Sequence, residues 1–90
     1  MERLHVIISG RVIGVCFRAF VQDQAKKLGL KGWVRNTEDG KVEAIFEGEK
    51  DKLGEMLKLC KNGPEASSVK SVDVHEEKHT GEFRDFEIRP

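Results

Sequence analysis

Hydrophobic residues recur at every second position early in the chain. Leu4, Val6 and Ile8 precede Ser9-Gly10, the pattern of a strand with one face toward a core. The period then changes. Phe17, Val21, Ala25 and Leu28 are spaced four, four and three, which predicts an amphipathic helix, with Gly29 as its terminator. Trp33-Val34-Arg35-Asn36 reads as a short extended segment, and Asp39-Gly40 is a hairpin signal. The returning strand sets Val42, Ala44 and Phe46 on one face and Lys41, Glu43, Ile45 and Glu47 on the other.

Leu53, Met56, Leu57 and Cys60 form the stripe of a second helix, which Asn62-Gly63-Pro64 stops. Gly54 weakens the centre of that helix by about 1 kcal/mol relative to alanine. Val72 and Val74 mark a fourth strand, with Val69 at its start, and Phe86 and Ile88 mark a last segment. That segment is either an extra terminal strand or the far half of a strand split by a turn at Lys78–Phe83. The order is β-α-β-β-α-β. It predicts an α+β, ferredoxin-like sandwich: an antiparallel sheet of four to five strands with both helices on one face. Trp33 and Phe46 are expected in the core.

Composition narrows the function. Ninety residues are expected to form a single domain, residues 1–90, too short for a two-domain cleft enzyme. Sixteen Lys and Arg balance sixteen Asp and Glu, so the chain lacks the positive field of a general nucleic-acid binder. An RNA-recognition sheet would need aromatics on its first strand, which here reads Leu4-His5-Val6-Ile7-Ile8. No apolar run reaches membrane-spanning length, and the N-terminus does not read as a signal peptide. Cys16 and Cys60 form no CxxC pair. Three scattered histidines add no metal signature; His75 and His79 read as solvated. The expectation is a cytoplasmic monomer without metal, cofactor, membrane or nucleic-acid partner.

The charge is unevenly spread. Residues 1–36 carry seven Lys and Arg against two acids, and the remaining 54 carry nine against 14. The basic third contains the unusual first strand-to-helix connection, Gly10-Arg11-Val12-Ile13-Gly14-Val15-Cys16-Phe17-Arg18. Two glycines four apart permit left-handed backbone, and such a turn at a helix N-terminus aims successive N–H groups at an anion. Arg11 and Arg18 bracket the turn, and an arginine fork matches phosphate oxygens. The connection lacks the G-K-[ST] ending of a Walker loop. Cys16 and Arg18 are too close to form a Cys-x5-Arg phosphatase loop, so Cys16 reads as a partly packed loop residue rather than a nucleophile. Arg11 is expected to point outward, and Arg35 to face away from Asn36 across the sheet.

The loop, together with Gly32-Trp33-Val34-Arg35-Asn36, Asp39-Gly40, Val42-Glu43, Glu47-Gly48, Gly63-Pro64 and Phe86-x-Ile88, resembles the acylphosphatase family over essentially the whole chain. The resemblance implies metal-independent hydrolysis of acyl phosphates to a carboxylate and inorganic phosphate. It implies that backbone amides from Ile13 through Gly14, Val15, Cys16 and Phe17 to Arg18 hold the phosphate. The Arg18 side chain would clamp it, and the Asn36 side chain would position water. The family usually has glutamine where this chain has Ile13, a difference that bears on loop anchoring, turnover and substrate range. The alternative reading is a regulatory module that binds phosphate or an acyl phosphate in the same cradle without hydrolysing it.

Overall fold

The computed structural model describes all 90 residues, Met1–Pro90. Its elements are β1 (Glu2–Arg11), α1 (Phe17–Lys27), β2 (Lys31–Asn36), β3 (Val42–Gly48), α2 (Lys50–Asn62), β4 (Ser68–Glu77) and β5 (Phe86–Ile88). The strands form one sheet in the order β4-β1-β3-β2-β5. The ferredoxin-like plan holds, with one correction. β5 pairs in parallel with β2, Gly32 opposite Phe86 and Val34 opposite Ile88, so the sheet is mixed rather than antiparallel. β5 is therefore an added strand on the edge opposite β4, not the far half of a split one.

Each element buries the residues its period selects. Leu4, Val6 and Ile8 of β1, Val34 of β2, and Val42, Ala44 and Phe46 of β3 share one core with Phe17, Val21 and Ala25 of α1 and Leu53, Met56 and Cys60 of α2. Both helices thus cover the same sheet face. Phe86 of β5 joins this core by stacking on Phe46, ring centroids 5.4 Å apart.

Trp33 is not in that core. Because Val34 points inward, period two sends Trp33 to the open face. There the guanidinium carbons of Arg89 and Arg35 lie 4.9 and 5.8 Å from its ring centroid. Glu47 is the other departure, an acid only 2% exposed. It receives the N–H groups of Thr80 at 3.0 Å and Gly81 at 3.2 Å, and the Thr80 hydroxyl at 3.2 Å. Arg3 Nη1 lies 3.4 Å away and His79 Nε2 3.5 Å away. Glu47 so pins the segment that carries the chain from β4 to β5. His79 is consequently half-buried beside an acid rather than solvated, while His75 is exposed.

Candidate active site

The sheet delivers β1 to the edge of the site through a shift in register between Ser9 and Gly10. A side chain at Gly10 would collide with the Ser68 carbonyl of β4, and its φ of 126° excludes ordinary residues as well. Beyond it the connection is pinned at both ends by apolar side chains. Val12 and Phe17 are each 1% exposed, and residues 13–16 arch between them.

Two left-handed residues shape the arch: Gly14 (φ 74°) and Cys16 (φ 63°), the one non-glycine residue of the chain with positive φ. Cys16 also occupies the N-cap of α1 and offers no side-chain cap to it. Its carbonyl accepts the Phe20 N–H at 3.1 Å, which starts the helical ladder. No backbone hydrogen bond outside the regular elements is donated from Ile13 through Arg18. Backbone donors are ordinarily paired, so a run of free N–H groups at a helix N-terminus is a positive concavity built for an acceptor. Cys16 is exposed and lines that concavity, which corrects its reading as partly packed.

Arg18 stands in the first turn of α1 and enters none of the ion pairs of the chain. Asn36 is the last residue of β2, its backbone opposite Val42. Its neighbours are tied down: Arg35 donates to Glu43 through Nε at 2.7 Å and Nη2 at 2.6 Å, and the Thr37 hydroxyl accepts the Lys41 N–H at 3.0 Å. The strand end is therefore fixed while the Asn36 carboxamide stays uncommitted. Arg35 lies on the open face, as expected. Its partner Glu43 also meets His5 Nε2 at 2.6 Å. Burial would push the Glu43 carboxyl up, but the bonds from His5 and Arg35 outweigh it and hold the group below its ordinary range.

An open pocket of about 400 Å³ brings these pieces together. Gly14, Cys16, Phe17, Arg18 and Asn36, all expected at a site, line it. Ile13 and Val15, also expected there, are not in the lining: the Ile13 side chain is exposed, and Val15 packs against the core. Arg11 is exposed and outside the wall. Val12, Ala19 and Ile88 complete the lining. Sequence reasoning passed over these three because they carry no polar chemistry. The parallel β5 pairing that brings Ile88 here also has no signal in a three-residue strand. No helix is long and apolar enough to cross a membrane.

The acylphosphatase family model matches residues 4–88. The chain belongs to the acylphosphatase family. It is 55% identical to an acylphosphatase from Syntrophobacter fumaroxidans over 97% of this chain and 90% of the relative. It is 53% identical to one from Roseiflexus sp. over 98% and 95%. Among solved structures, the acylphosphatase from Bacillus subtilis superposes with a TM-score of 0.96 at 39% identity, covering 100% of both chains. The family resemblance read from the loop and the second strand is thereby established across the whole sheet.

Proposed function

We propose that this chain hydrolyses the carboxyl–phosphate bond of small acyl phosphates in the pocket between the α1 N-terminus and the end of β2. Family membership at this identity supports the reaction. The observation that carries the site is the convergence of unpaired loop amides, a free Arg18 and an uncommitted Asn36 on one cavity.

The chemistry needs little else. The phosphate enters with its oxygens toward the N–H groups of Ile13 through Arg18, and the Arg18 fork spans two of them. Phosphoryl transfer is governed by positioning and by stabilising charge on the equatorial oxygens, and these donors supply both. Asn36 donates to or accepts from a water and fixes its approach; a carboxamide is too weak a base to do more. The water oxygen forms the new bond to phosphorus as the acyl oxygen leaves. The leaving carboxylate is stable as an anion and needs no general acid. The water proton passes to the phosphate product or to solvent. Neither a metal nor a covalent enzyme intermediate is required.

In this reading the whole chain, residues 1–90, is one catalytic domain, and its pocket is complete within a single copy, in keeping with a monomer. Balanced net charge speaks against a nucleic-acid partner. The buried Cys60 and exposed Cys16, both free thiols, fit a reducing cytoplasm.

The test is the fall in ultraviolet absorbance of benzoyl phosphate with chelator present, wild type beside Arg18→Ala. Loss of signal in the wild type alone is expected. Phosphate binding without turnover would make the chain a binding module instead.

A further inference from the structure

An acyl phosphate has two unlike ends, and the loop accounts for one of them. Apart from Arg18 and Asn36, the wall offers Gly14, the Cys16 thiol and the apolar side chains of Val12, Phe17, Ala19 and Ile88. No acid and no second base is among them. Ile88 is the telling member. It pairs with Val34 of β2 on the core face, yet it is 40% exposed where Val34 is fully buried. Ile13, 42% exposed, stands in the loop that precedes α1 and is not part of this wall. Single exposed apolar residues are ordinary on a protein surface. Here, however, an exposed Ile88 lies in the wall of the same pocket as Arg18 and Asn36.

We infer that Ile88, with Ala19, forms an acyl-group subsite that selects uncharged, apolar acyl groups over acyl groups carrying a second charge. The inference rests on the hydrolytic reading of the same pocket and adds its substrate class. An apolar acyl group leaves water for this wall at a gain. A second carboxylate would lose water there and find no partner, because Arg18 is engaged by the phosphate.

The experiment compares kcat/KM for acetyl, isobutyryl and cyclohexanecarbonyl phosphates, whose parent acids have similar strength, so that leaving-group chemistry stays constant. Glutaryl phosphate, with its second carboxylate, is the charged member. The cyclohexanecarbonyl compound should exceed the acetyl compound by roughly tenfold, the scale of hydrophobic-pocket discrimination, and glutaryl phosphate should fall below acetyl. Ile88→Thr keeps the β-branched shape that suits a strand and should cut the cyclohexanecarbonyl-to-acetyl ratio to about twofold. Inhibition by inorganic phosphate should not move. A flat series in the wild type overturns the subsite. So does an Ile88→Thr protein that slows all acyl groups equally, since Ile88 would then act on the water or the cradle. Calorimetric binding of cyclohexylphosphonate against methylphosphonate reads the subsite without turnover. Preference without hydrolysis keeps the subsite and defeats the hydrolytic reading, and hydrolysis without preference does the reverse.

Discussion

Arg18 and Asn36 come from different elements, the first turn of α1 and the last residue of β2, and they line the same pocket. Their roles are therefore separable. Arg18→Ala should lower turnover by about a thousandfold or more and weaken inhibition by phosphate, because the equatorial charge loses its main cation. Asn36→Ala should lower kcat by about a hundredfold, the cost of a misplaced nucleophile, and leave phosphate inhibition nearly intact. Steady-state kinetics with phosphate as inhibitor measures both. Normal turnover in Asn36→Ala would remove the water-positioning role.

Cys16 and Cys60 should differ sharply toward thiol reagents. Burial in the core pushes the Cys60 thiol up to about 12, so it stays protonated and shielded. Cys16 lies open in the pocket wall. Iodoacetamide should modify one thiol per chain and block hydrolysis, with phosphate protecting. Cys16→Gly should remain active and resist the reagent. It should also gain about 1 kcal/mol in urea unfolding, because glycine relieves the left-handed strain at φ 63°. An inactive Cys16→Gly protein with intact phosphate binding would reopen the question of a thiol nucleophile.

Glu47 should make the fold acid-sensitive. Burial would push its carboxyl up, but the hydrogen bonds from Thr80 and Gly81, together with His79, prevail and hold it below its ordinary value. A carboxylate depressed in the folded state binds its proton more readily when unfolded. Its stabilisation is thus present above the ordinary glutamate pKa and lost as pH falls through the lower folded value. Glu47→Gln should cost about 2 kcal/mol at neutral pH and flatten the fall in Tm below the glutamate range. An unchanged Tm–pH profile would show that the crossover from β4 to β5 is held by other contacts.

The two large aromatics of the hairpin should not weigh equally. Phe46→Ala empties a fully buried site against Phe86 and should cost about 3–5 kcal/mol. Trp33→Ala loses half-buried area and two exposed cation–π contacts, about 1–2 kcal/mol in all. Denaturant midpoints with a common slope would read the difference directly.

What the sequence disclosed followed from period and punctuation. Leu4, Val6 and Ile8 named the inner face of β1, and the Phe17-Val21-Ala25 stripe named that of α1. Gly14, Arg18 and Asn36, singled out in the sequence, line one pocket. What stayed hidden depends on relations between distant segments. Trp33 reads as core in the sequence, but it alternates with the inward Val34 and so lies on the open face. The period places Glu47 on the face away from Val42, Ala44 and Phe46, but nothing local signals that Thr80 and Gly81 fold back over it. The left-handed turn at Cys16 ran against the usual preference for glycine or asparagine. Ile88 entered the pocket wall through a pairing that three residues cannot announce.

The strand order β4-β1-β3-β2-β5 has a kinetic consequence. Only β2 and β3 are both consecutive in the chain and adjacent in the sheet. Every other rung must wait for a helix or a whole hairpin to be threaded past. Pairings so distant in sequence slow folding relative to a helical bundle. Because the loop leaves β1 while Asn36 ends β2 and Ile88 ends β5, no partly assembled chain holds a finished pocket. Recovery of hydrolysis after dilution from urea should therefore lag the early fluorescence change of the hairpin and coincide with the last, slowest pairing.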